Sequence, residues 1–140
     1  MEERYVRIGV GVLILKEGKV LFGKRIGAHG ADSWAPPGGH LEINESLFDC
    51  AQREVLEETG LEVQNLRKAS SYTEEIFDEN KHYITLYVIA DWKSGEPQIL
   101  ESDKCEAWDW FRWDSLPEPL FLTIQHLRKQ GYNPFKELNS

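Results

Sequence analysis

Between Ser46 and Gly60 the chain spells out an amphipathic helix whose polar flank a helix built for stability alone would not carry. Ser46 can cap the first turn, with Asp49 three residues on, and Gly60 stands at the C′ position, where a left-handed backbone ends a helix. Leu47, Phe48, Ala51 and Val55 fall within about 100° on the helical wheel and form the stripe to be buried. Glu54, Glu57 and Glu58 stand at i, i+3 and i+4, which sets three carboxylates beside one another. Like charges at that spacing repel, so the segment predicts a cation seated against this flank.

The charge balance sharpens that expectation. The 140 residues hold 24 acids against 16 bases, a net charge of −8. From Gly39 to Leu61, Glu42, Glu45, Asp49, Glu54, Glu57 and Glu58 face Arg53 alone, so this short stretch carries most of the excess. An acidic chain with pI near 5.0 is a poor partner for extended nucleic acid, which is held by phosphate neutralisation. Hydrophobic residues at 41% and charged residues at 29% fit a single globular domain over residues 1–140. Cys50 and Cys105 are too few for a disulfide framework, and no signal peptide is read at Met1–Arg7. The longest apolar run, Ile8–Leu15, is far short of the roughly 20 residues of a membrane span. A cytoplasmic protein away from membranes is expected.

Tyr5–Leu15 reads as a buried strand, with Lys16-Glu17-Gly18-Lys19 turning it into a hairpin with Val20-Leu21-Phe22. Gly9 and Gly11 inside it mark a bulge, a close approach to the backbone, or simple tight packing. Gly27–Ser33 is a small-residue loop. In Trp34-Ala35-Pro36-Pro37-Gly38-Gly39 the prolines forbid helix and the glycines permit positive φ. Further strands are expected over Leu66–Tyr72, Lys81–Trp92 and Glu106–Trp113, the last with Trp108 and Trp110 on one side. A second helix is expected over Leu120–Gln130, with Phe121, Ile124 and Leu127 inward. The pattern is β-rich with two helices, an α+β or α/β layered domain.

Written out, Gly39-x5-Glu45-x7-Arg53-Glu54-Val55-x-Glu57-Glu58-x-Gly60-Leu61 resembles the signature of the Nudix (MutT-like) hydrolases at every defined position. The resemblance implies an α/β fold, a mixed β-sheet sandwiched between helices in an α/β/α sandwich, and metal-dependent hydrolysis of a nucleoside diphosphate linked to another group. It implies Mg²⁺, with Mn²⁺ as a substitute, held by Glu54, Glu57, Glu58 and the Gly39 carbonyl; Mg²⁺ takes hard oxygen ligands of this kind. In the family the arginine matching Arg53 orients the glutamates. Glu45 either closes that network or favours the helix N-terminus by its charge. Glu54 is the general base by family analogy, and Glu101, before the Trp-rich strand, is the alternative base or extra metal ligand or else a plain loop acid.

Outside this box, Phe22-Gly23-Lys24-Arg25, Pro37-Gly38-Gly39-His40-Leu41-Glu42, Lys104-Cys105-Glu106-x-Trp108-x-Trp110 and Gly131-Tyr132-Asn133-Pro134-Phe135 resemble one branch. Its members act on guanine and thioguanine nucleotides in mammals, and on oxidised dGTP or geranyl diphosphate in a plant. The resemblance implies that Arg25, Gly38 and His40 approach the phosphates and that Phe121, Leu122 and Thr123 line a base pocket; core packing is the competing role for Phe121. Ala35-Pro36 departs from the glutamine and leucine of the mammalian pattern, which removes a polar base contact. The expected function is a nucleoside triphosphate diphosphatase acting on (d)NTPs or modified purine nucleotides, releasing NMP and pyrophosphate in nucleotide pool sanitation, as a homodimer. The alternatives are hydrolysis of an isoprenoid diphosphate or a nucleotide sugar, and a non-catalytic nucleotide sensor.

Overall fold

The computed structural model describes residues 5–27 and 30–137. Ala28 and His29 of the expected small-residue loop, and residues 1–4 of the segment read for a leader, lie outside the described residues. β1 (Arg7–Lys16) turns at Glu17 and Gly18 into β2 (Lys19–Arg25). The turn residues have φ of 51° and 79°, and positive φ at both central positions matches the twist of the strands they join. The expected hairpin forms, but its strands pair only beside the turn, Leu15 opposite Val20 and Lys16 opposite Lys19. Beyond that they separate. β4 (Gly38–His40) pairs along β1, while β3 (Trp34–Ala35) pairs with β2.

This splay carries the Pro-Pro-Gly-Gly segment into the middle of the sheet. Gly38 and Gly39 are needed there for space and not for positive φ: a Cβ on Gly38 would collide with the Val10 carbonyl oxygen, and one on Gly39 with the Glu54 carboxylate. β1 also runs parallel to β6 (Lys81–Ser94), which pairs antiparallel with β5 (Glu62–Asp78); β7 (Cys105–Phe111) pairs antiparallel with β2. The result is a mixed seven-stranded sheet in the order β3-β2-β1-β6-β5, with β4 on β1 and β7 on β2. The β1–β6 register runs unbroken from Arg7 to Leu15, so Gly9 and Gly11 form no bulge in this ladder. A Cβ on Gly11 would come 2.9 Å from the Tyr87 ring, which makes close packing the reason for that glycine.

Alternation along the strands divides the core in two. Val10, Val12 and Ile14 meet Cys50, Ala51 and Val55 of α1 (Leu47–Thr59). On the opposite face Leu13, Tyr87 and Ile89 meet Ile124 and Leu127 of α2 (Leu122–Lys129). Among the described residues each face of the sheet thus carries one α-helix, the sandwich expected. α1 has the expected ends: Ser46 Oγ accepts from the Asp49 amide at 3.1 Å, and Gly60 stops the helix at φ 76°. Trp108 and Trp110 pack together toward the α1 core.

Three expectations change. Phe48 is 36% exposed, while Cys50 and Thr59 are buried; the helix docks with its Cys50 side against β4, where the thiol lies 3.6 Å from the His40 carbonyl oxygen. β5 extends well beyond Leu66–Tyr72 in both directions, because Thr73 and Glu75 turn inward onto polar partners that hydropathy does not register. α2 begins one residue after Phe121, which stands at its N-cap position and is not packed inward with Ile124 and Leu127. Among the described residues, no helix is long and apolar enough to cross a membrane.

Candidate active site

The parting of β1 and β2 opens a cavity of about 810 Å³. Gly9 and Gly11 of β1 and Thr85 of β6 line it at the centre of the sheet, with the carboxylates of α1 beyond β4. Arg53 is the hub of those carboxylates. Its Nε donates to Glu45 Oε2 at 2.6 Å and its Nη2 to Glu45 Oε1 at 3.0 Å, a bidentate grip. Nη1 donates to Glu54 Oε1 at 2.6 Å and Glu57 Oε1 at 2.9 Å. Nη2 also reaches the His40 carbonyl oxygen at 3.3 Å, which ties α1 to β4. These bonds hold the guanidinium firmly protonated, Glu45 first among them. In return Arg53 lowers the Glu45 carboxyl to about 2. Glu45 also accepts the Glu42 amide at 3.1 Å, so it closes the hydrogen-bond network around Arg53.

Glu58 has no share in the guanidinium hydrogen bonds. Its Oε2 accepts the Gly38 amide at 2.9 Å. Burial pushes its carboxyl up to about 8 against that hydrogen bond, with Glu54 and Glu101 adding repulsion. Burial raises Glu54 as well, although Arg53 opposes it. Among the described residues no three acidic, histidine or cysteine side chains are already drawn together around one point: Glu54 and Glu57 turn to Arg53, and Glu58 to Gly38. The donor set nonetheless suits a divalent cation. It consists of hard carboxylate oxygens, two of them raised by burial, and Gly39 leaves the Glu54 carboxylate room that any side chain would fill.

The other expected residues divide. Arg25 and Phe121 line the cavity together, the guanidinium carbon 4.3 Å from the ring centroid. Burial lowers the Arg25 pKa, with Glu58 pulling the other way. His40 lines it on the β4 side, its imidazole held below the usual range by burial and then by Arg7. Thr123 is part of the wall and Leu122 is not. Glu101 stands on the rim beside Lys104 Nζ at 3.9 Å, near enough to Glu58 to raise it. Sequence reasoning missed Phe77, Tyr83 and Thr85 as lining residues. A strand over Lys81–Trp92 sets Tyr83 and Thr85 on one face by its period of two, but nothing in that spacing says which face holds the cavity.

The family model for the NUDIX domain matches residues 6–130. The chain belongs to the NUDIX family. An oxidized purine nucleoside triphosphate hydrolase of Danio rerio is 35% identical over 106 residues, covering 76% of this chain and 66% of that protein. A MutT NUDIX hydrolase of Burkholderia pseudomallei superposes with a TM-score of 0.83 at 30% identity, over 92% of this chain and 100% of that one. The NUDIX domain of Shewanella oneidensis NrtR, solved with ADP ribose, shares the fold with a TM-score of 0.68 at 19% identity, over 94% of this chain and 88% of that one.

Proposed function

We propose that residues 1–140 act as one NUDIX hydrolase domain that cleaves nucleoside triphosphates, modified purine nucleotides among them, to NMP and pyrophosphate. The observation that carries this reading is the cluster of carboxylates around Arg53 at one end of a cavity whose other side holds Arg25 against Phe121. The activity for which the Danio rerio relative is named supports the substrate class. Glu54, Glu57, Glu58 and the Gly39 carbonyl would hold Mg²⁺ or Mn²⁺, which offsets the repulsion between acidic site and anionic substrate and stabilises charge in the transition state.

The chain's own groups do the rest. Arg53 keeps Glu54 and Glu57 oriented, and Glu45 keeps Arg53 in place. Glu54 takes the proton of the water attacking the α-phosphorus, a task suited to a carboxylate whose pKa burial has raised. Glu101 is placed to assist from the rim. Arg25, His40 and the Gly38 turn approach the phosphates, while Phe121 and Thr123 receive the base. A cytoplasmic homodimer completes the reading; β5, at one end of the sheet order, carries exposed Tyr72 and Ile76.

Glu58→Gln tests the metal role, because an amide oxygen can still accept the Gly38 amide. Calorimetric titration with Mg²⁺ should show affinity weakened by at least about tenfold, and kcat should fall with it. In the unsubstituted protein the folded-state carboxyl of Glu58 at about 8 lies above its ordinary value of 4.5. Binding a cation there expels a proton, so Mg²⁺ affinity should climb as pH rises toward 8, and this climb should flatten in Glu58→Gln. Unchanged affinity and pH dependence would remove Glu58 from the site.

A further inference from the structure

Behind Thr123 runs a chain of buried hydroxyls. Thr123, in the first turn of α2, is buried and forms part of the cavity wall. Tyr87 of β6 is buried in the core cluster that holds Leu13, Ile89, Ile124 and Leu127. Gly11, its neighbour in register on β1, makes room for the ring. The Tyr87 hydroxyl lies 3.2 Å from Oγ1 of Thr73, itself buried on β5, and the Thr123 hydroxyl is its second partner. Hydroxyls from β5, β6 and α2 thus form one chain with Tyr87 in the middle.

A phenylalanine would fill the same space without burying a hydroxyl, which is costly unless bonded. Thr73 alone satisfies that need, so the bond to Thr123 requires a separate reason. A threonine near a helix start ordinarily turns its hydroxyl onto a carbonyl three or four residues back. Here both carbonyls are engaged: Pro119 O accepts the Trp34 amide at 2.9 Å, and Leu120 O accepts Gln125 Nε2 at 2.7 Å. The Thr123 hydroxyl turns to Tyr87 instead. With one proton and two lone pairs it keeps capacity for a further bond, and the space open to it is the cavity. We propose that Tyr87 is a positioning residue for the substrate: its hydroxyl fixes the rotamer of Thr123, so that Thr123 presents one set polar contact to the edge of the base. This role rests on the hydrolase reading above, in which Thr123 receives the base.

The probes are a non-hydrolysable methylene-bridged dGTP analogue and inorganic tripolyphosphate, which has the phosphates without the base. Calorimetry on the whole chain with Mg²⁺ gives the ratio of their affinities. Tyr87→Phe keeps the ring and should lower the preference for the dGTP analogue about 3–10-fold, the scale of one neutral hydrogen bond, with tripolyphosphate affinity unchanged. Thr123→Val should lower it at least as far, and adding Tyr87→Phe to Thr123→Val should change it no further. An unchanged ratio in Tyr87→Phe overturns the proposal, as do additive losses in the double variant, which put the effect of Tyr87 outside Thr123. A fall in both affinities together, the mark of a merely structural hydroxyl, also overturns it. An analogue that binds the unsubstituted protein no more tightly than tripolyphosphate overturns the base contact and leaves the hydrolase reading standing. Failure of the unsubstituted protein to hydrolyse any nucleoside triphosphate overturns the hydrolase reading and the role resting on it.

Discussion

α1 and α2 cover opposite faces of the same sheet, and each brings charged groups to it in a different proportion. On the α1 side one guanidinium serves Glu45, Glu54 and Glu57, with Glu42 3.7 Å away. Glu58 is left outside that grip, half-buried, and accepts the Gly38 backbone amide. On the α2 side Glu75 is 2% exposed, and its Oε2 lies 2.8 Å from Nδ1 of His126, one acid to one partner. Nearby, Thr73 Oγ1 and the Tyr87 hydroxyl are 3.2 Å apart. A buried charge is tolerated when it is paired. On the α2 side the buried acid has a hydrogen-bond partner, whereas on the α1 side the carboxylates outnumber their single guanidinium beside an open cavity. Unbalanced negative charge kept where a ligand can reach it points to a site; a buried acid hydrogen-bonded to one partner between a helix and a strand points to architecture.

Removing the hub should break the first region most severely. Arg53→Ala leaves Glu45, Glu54 and Glu57 without their shared donor, and kcat should fall about 10–100-fold, the usual scale for losing a group that orients metal ligands. Arg53→Lys should recover little of it, because one ammonium cannot reproduce a fork that grips Glu45 with two nitrogens while a third bond reaches Glu54. Full activity in the lysine variant would show that the hub supplies charge alone. On the other face the expected loss is in stability. His126→Ala leaves Glu75 Oε2 as unpartnered as Glu75 Oε1 already is among the described residues. Urea unfolding should show a loss of about 2 kcal/mol, while kcat stays near its original value. A fall in kcat without a fall in stability would reverse the contrast between the two faces.

The α1 region was readable because its chemistry is local. Ser46, the three glutamates, Arg53 and Gly60 lie on one continuous helix, and helical spacing alone puts the carboxylates side by side. The Nudix resemblance rests on the same residues. Glu75 and His126 are 51 positions apart and meet only once β5 and α2 have packed, so no local pattern announces them. The same holds for the cavity lining of His40, Phe77 and Tyr83, drawn from three strands. Two glycines were noticed for the wrong property: Gly38 and Gly39 permit positive φ, yet it is the approach of Val10 and Glu54 that requires them. Close approach is a tertiary fact, and a sequence shows only the absence of a side chain.

Phe48 gives the smallest effect and the cleanest check on how α1 docks. Helical periodicity places it in the stripe with Leu47, Ala51 and Val55, but the β4 contact draws the helix toward Cys50 and leaves Phe48 partly in water. If the helix sits as described, Phe48→Ala removes a ring that is only partly buried and changes unfolding stability by about 0.5 kcal/mol or less, the range of ordinary surface substitutions. Were the stripe read from periodicity the true core face, the same change would excavate a cavity and cost about 3 kcal/mol or more. Those outcomes are well separated in a urea titration. The rotation they distinguish also decides where Arg53, three positions from Cys50, meets the His40 carbonyl; a large Phe48 penalty would therefore move the whole carboxylate hub away from the cavity.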